Sequence, residues 1–79
     1  MLLRIRRTRL EHGLALQDAA SQVGVAPGAL SRIECGRELP WPAIRTRLAN
    51  LYGIAADELF SDIDAAQKHL RQIAGQGAP

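Results

Sequence analysis

The stretch Ala19 to Gly36, "AASQVGVAPGALSRIECG", constrains this chain more than any other. Gly24 stands four residues after Ala20, between Val23 and Val25. Glycine enters a left-handed turn without steric cost, and an alanine one helical turn earlier lets a second helix approach closely. Apolar groups at Val23, Val25, Leu30 and Ile33 supply an inner side for both halves. Two short helices crossing steeply over a turn of about three to four residues satisfy all of these demands together.

A chain of 79 residues supports a single core, because a domain this small buries only roughly 60 to 65 per cent of its unfolded surface. Leu, Ile, Val and Ala supply nearly all of its apolar groups, and Trp41, Tyr52 and Phe60 are the only aromatics. That composition favours packed helices over strands. Cys35 has no second cysteine with which to form an internal disulfide, and "MLLRIRRTRL" lacks the apolar run of a secretory leader. No apolar run approaches the roughly 20 residues that span a bilayer. A reducing cytoplasm, with the protein associated with the nucleoid and away from membranes, is the expectation.

The net charge of +2 is too small to argue for a polyanionic partner, but its distribution is uneven. Residues 1–50 carry eight arginines against four acids, whereas residues 51–79 carry two bases against four acids. This split suggests one face that meets phosphate and another that does not.

The periodicity predicts an all-α chain. A first helix spans Leu2 to His12, with Ile5 inward beside Leu2 and Thr8, and Gly13 ends it. A second runs from Leu16 to Val23, and a third from Pro27 to Cys35. Proline suits the first helical position because its missing N–H has no partner there. Pro42 opens a fourth helix, Ala43 to Tyr52, with Ile44, Leu48 and Leu51 inward; "ADELF" makes about one and a half turns. From Ser61 to Ala74, "SDID" reads as a capping box, and Ile63, Ala66, Leu70 and Ile73 form a stripe. Residues 1–60 are thus expected to form the domain, 61–74 a C-terminal amphipathic helix and 75–79 a frayed tail.

The segment 16–35 fits a helix-turn-helix. Through "RIRRTRLEHGL", "AASQVGV", "LSRIECG", "RLANLYGI" and "DELF", the chain from Ile5 to Phe60 resembles the Cro and phage-repressor (XRE) type of helix-turn-helix transcriptional regulator. The resemblance implies a five-helix repressor-like DNA-binding domain, here with the C-terminal helix added. It also implies that Arg9 pairs with Glu34 as an architectural contact.

Three departures from the family pattern bear on how bases are read. Ala15-Leu16 replaces a Ser-Gln whose glutamine holds a phosphate and a base edge. Ala26 stands where Ser or Thr caps the recognition helix, at a cost of about 1 kcal/mol. Gly28 weakens the same turn. By the family pattern, Ala26, Pro27, Gly28, Ser31 and Arg32 face the major groove, with Ala29 nearby, and only Ser31 and Arg32 can hydrogen-bond to bases through their side chains. Arg32 is the leading candidate for bidentate guanine recognition, against the plainer alternatives of a phosphate contact or a solvated arginine. Ser31 suits a base or a phosphate equally. Pro27, Gly28 and Ala29 can touch thymine methyl groups. Arg37, Arg45, Arg47 and Arg6 are candidate phosphate contacts.

Trp41 either anchors its loop, packs against a partner chain or lies along the DNA backbone. The stripe Ile63, Ala66, Leu70 and Ile73 either covers the domain's own core or meets a second copy. A homodimer suits operator half-sites about one helical turn apart.

Catalysis finds no support. His12, His69 and Cys35 are isolated, with no CxxC or HxxxH spacing and no phosphate loop. No metal and no cofactor is expected. The reading is a sequence-specific regulator, expected to repress, that binds double-stranded DNA as a homodimer on a palindromic operator. Its alternatives are a protein-binding module on the same scaffold (an antitoxin or anti-activator) and a DNA-bending recombination or mobile-element control factor.

Overall fold

The computed structural model describes residues 2–68, which are all-α. The helices are α1 (Arg4–Glu11), α2 (Leu16–Val23), α3 (Pro27–Glu34), α4 (Pro42–Tyr52), α5 (Ala56–Leu59) and α6 (61–68). Among the described residues, no helix is long and apolar enough to cross a membrane.

The residues that precede the first five helices are Leu3, Ala15, Ala26, Trp41 and Ala55, and none makes a side-chain capping bond. Each missing cap forgoes about 1 kcal/mol. Two of the starts reduce the need, because Pro27 and Pro42 occupy the first turn of α3 and α4 and have no N–H to satisfy. A third is capped from a distance: the Arg4 N–H at the start of α1 donates to Asp62 Oδ2 in α6 at 2.6 Å. A carboxylate there also suits the positive end of the helix dipole.

Gly24 ends α2 at φ 75°, and the Val25 N–H donates back to the Ala20 carbonyl at 3.0 Å. That closes the left-handed turn between α2 and α3. Ala20 is fully buried beneath it, in one core with Ile5, Ala19, Val23, Leu30, Ile33, Ile44, Leu48, Tyr52, Leu59, Phe60 and Ile63.

Four expectations need correction. Leu2 is 44% exposed rather than inward, because α1 starts only at Arg4 and Leu3 is extended, so Leu2 lies outside the helical register. Ile63 is only 6% exposed and packs in the core, so little of it is left for a partner contact. The capping box read in "SDID" does not form as expected: Asp62 Oδ1 accepts the Ile63 N–H of its own first turn at 2.9 Å, but its Oδ2 serves α1, and Asp64 accepts two hydrogen bonds from Arg45 at 2.8 and 2.9 Å.

The charge split, finally, does not separate two faces. Glu58 pairs with Arg4 at 2.9 Å and Asp64 with Arg45, so acids of the second half tie down bases of the first. The Arg45 guanidinium also lies 4.7 Å above the Phe60 ring, a favourable cation–π position. Together with Ile63, these contacts hold the beginning of α6 to the body.

The Arg45 hydrogen bonds hold the Asp64 carboxyl below its ordinary value of 3.8, and a carboxylate lowered in the folded state stabilises it only while ionised. The difference in stability between wild type and Asp64→Asn is therefore expected to be full above pH 3.8 and to vanish as pH falls through the lowered native value. Asp64 is substantially exposed, so the difference is modest, about 1 kcal/mol or less. Urea unfolding of both proteins between pH 6 and pH 2, taken as approximate working limits, checks the sign and the window.

Candidate nucleic-acid interface

The bihelical unit is held from behind by a buried ion pair. Arg9 Nε and Nη2 donate to Glu34 Oε2 and Oε1 at 2.8 and 3.1 Å, while Nη1 donates to the Leu14 carbonyl at 2.7 Å. One guanidinium thus fastens the end of α1, the α1–α2 connection and the last residue of α3. Both side chains are nearly inaccessible, so the charges balance one another in a dry setting, where a fork-to-fork pair is strongest. Tyr52 lies nearby with its hydroxyl buried and unpartnered among the described residues. Burial first, and the Glu34 charge second, push its ionisation up to about 12, against a smaller opposing effect of Arg9.

In front of this anchor, α3 presents a bare first turn. Ala26, Pro27 and Gly28 are exposed, and Ala29 and Ser31 are half-buried. No acid occupies the turn, so the positive end of the helix dipole is left unopposed for an anion. Arg32 is exposed one turn on, and its Nη1 lies 3.6 Å from where a Cβ on Gly28 would sit. The empty position thus leaves room for the arginine to lie along the helix.

Ser31 lies in a shallow depression with Arg6, Leu16 and Cys35, floored by Arg9 and Glu34. This brings Arg6 of α1 to the same side as α3, while Leu16 gives the start of α2 an apolar edge.

The four candidate phosphate arginines divide. Arg6 and Arg37 are exposed, with no ion-pair partner among the described residues. Arg47 donates Nη1 to the Val23 carbonyl at 3.2 Å, close beside Gly24. It therefore caps the end of α2 at the turn, a role its sequence position did not reveal. Arg45 is spent on Asp64 and Phe60 and is withdrawn from the phosphate set.

Leu39 and Trp41 are 53% and 44% exposed in the α3–α4 connection. Leu39 joins Leu3, Gly36, Ile63, Ala66 and Gln67 around an apolar depression. Ala66 is exposed; Leu70 and Ile73, the remaining members of the stripe, lie outside the described residues.

Residues 2–60 match the family described as helix-turn-helix domain. This chain belongs to that family. The helix-turn-helix domain supports DNA binding. Among solved structures, the crystal structure of the clp gene regulator ClgR from Corynebacterium glutamicum is similar, with a TM-score of 0.69 at 23% identity. The match covers 96% of this chain and 87% of that one; at this identity the likeness speaks for the fold. No curated protein matches the chain.

Removing one partner of the buried pair strands a charge in the core, which costs about 3 to 5 kcal/mol. Arg9→Ala and Glu34→Ala are each expected to lose that much, a large part of what so small a domain has. Arg9→Met combined with Glu34→Leu is expected to recover most of it, because no charge is then left buried. Denaturant unfolding of the three variants tests this, and equal destabilisation by all of them would refute it.

Proposed function

We propose that this helix-turn-helix domain is a sequence-specific transcriptional repressor that acts as a homodimer on a palindromic operator. The observation that carries the reading is the exposed guanidinium of Arg32 on an otherwise bare helix face, flanked by the free cations of Arg6 and Arg37. Arg32 reads guanine, and Ser31 contacts a base or a neighbouring phosphate. Pro27, Gly28 and Ala29 allow close approach to thymine methyl groups. Arg37 and Arg6 hold phosphates, joined by the remaining donors of Arg47.

Dimerisation uses the side of α6 that the core leaves open. Ala66 is its described member, and the same spacing continues to Leu70 and Ile73 in sequence. Leu39 borders it. Two copies related by a two-fold axis present their α3 helices to half-sites about one helical turn apart.

A second reading has one specific observation in its favour. The exposed Leu39 at an apolar depression, with the exposed Trp41 two residues further along the chain, also suits a different protein partner, as in an antitoxin or anti-activator.

Selection of bound duplexes from a random pool is expected to return an inverted repeat, and gel filtration a dimer. A stoichiometric complex with another protein, together with unselective micromolar DNA binding, would transfer the reading to the protein-binding alternative. On the selected duplex, Arg32→Ala is expected to cost about 1 to 3 kcal/mol and to relax one base-pair position, whereas Arg37→Ala weakens all sequences and lowers the salt slope by about one.

A further inference from the structure

Past the end of α3 the chain turns back on itself, and the N–H groups of Arg37 and Glu38 both donate to the Arg32 carbonyl, at 2.9 and 3.3 Å. Glu38 is thereby held at a fixed place relative to Arg32. Its Oε1 lies 3.7 Å from Arg32 Nε, an ion-pair distance too long for a hydrogen bond. Its Oε2 is buried and finds no hydrogen-bond partner among the described residues. A buried carboxylate oxygen without a donor is an uncompensated cost, and the nearby arginine is the group that can lower it.

We infer that Glu38 is a specificity-determining residue that positions the Arg32 guanidinium for a base edge and penalises unselective contact with phosphate. The inference rests on the reading of Arg32 as a base contact. With Nε turned to Glu38 and the exposed side chain running past Gly28, Nη1 and Nη2 have no hydrogen-bond partner among the described residues, and these two donors can match guanine O6 and N7. Gly28 provides the clearance and Glu38 the direction. A carboxylate beside the helix also repels the phosphate backbone on every sequence. At the right base pair, Arg32 offsets that repulsion while it makes its two hydrogen bonds; elsewhere the repulsion remains. Specificity then comes from a repulsive element as well as an attractive one.

The test uses the full chain with Glu38→Gln, Glu38→Asp, Arg32→Ala and the double variant Arg32→Ala with Glu38→Gln. Affinities are measured on the selected duplex, on the same duplex substituted at each base pair, and on a random duplex of equal length. Thermal midpoints are recorded alongside. Glu38→Gln is expected to bind the random duplex more tightly and to lose about three- to five-fold in discrimination at the base pair that Arg32→Ala relaxes, with Glu38→Asp retaining part of it. In the Arg32→Ala background, Glu38→Gln is expected to leave discrimination unchanged. A structural role alone would lower the thermal midpoint and weaken all duplexes alike, and that result overturns the inference. If Arg32→Ala relaxes one position but Glu38→Gln relaxes none, the positioning role fails and the base reading stands. If Glu38→Gln has the same effect with and without Arg32, Glu38 acts by itself, which also overturns the inference. If Arg32→Ala relaxes no position, the base reading falls and the role of Glu38 falls with it.

Discussion

The Arg9–Glu34 pair is the constraint on which the presentation of α3 depends. Helix α3 has eight residues, no side-chain cap at its start and a glycine in its first turn, so little within the helix itself sets its position. Leu30 and Ile33 fix one side of it in the core, and Glu34 fixes its end. Because the same guanidinium also holds the Leu14 carbonyl, α3 is referenced to α1 and to the entry of α2 through one planar group. A lysine has one donor head and could not replace three separate directions. The pair contributes less to net stability than its short distances suggest, since both charges have left water. Its value is geometric: it fixes where α3 presents its exposed side chains.

The same logic sorts the other arginines. In this chain the nearest carboxylate decides whether an arginine is architecture or surface. Arg4, Arg9 and Arg45 have acids within hydrogen-bond distance and serve packing. Arg6 and Arg37 face solvent without an acid among the described residues, and Arg47 sits between these cases, with one nitrogen on a backbone carbonyl. Counting bases along the sequence therefore overstates the charge offered to a phosphate backbone. The acids of α5 and α6 mainly close the domain, which explains how a basic first half and an acidic second half can belong to one small body.

The parts of the fold that depend on local chemistry were legible in the sequence. Gly24 and Ala20 announce the turn of the bihelical unit, and Pro27 and Pro42 mark helix starts, because each expresses a backbone restriction that acts within a few residues. The contacts that close the domain were not legible. Asp62 meets the start of α1 across 58 positions, and nothing near either residue signals it; read locally, the same aspartate looks like part of its own helix's cap. Ile63 shows a related limit. Periodicity says that Ile63, Ala66, Leu70 and Ile73 share a side, but not that the domain's own core covers the first of them. Arg47 looked like a surface cation because its acceptor is a carbonyl, and carbonyls leave no mark in a sequence.

The bare first turn of α3 is consistent with this division of labour. A capped, polar turn would hold the helix more firmly and offer more hydrogen bonds, but it would also fill the space over which Arg32 extends. With Ala26, Pro27 and Gly28 in place, the helix start is stabilised by what is missing, a proline without an N–H, rather than by an added side chain. Its exposed surface is small enough for backbone to approach a duplex closely. On the proposed reading, base discrimination then falls on Ser31 and Arg32, and on whatever directs Arg32. A single long side chain carries information only if its guanidinium has a preferred direction, since the same group disposed freely would bind any phosphate within reach. On the proposed reading, that requirement makes the α3–α4 connection, where Glu38 is tied by its backbone to Arg32, part of the reading surface rather than a spacer between two helices.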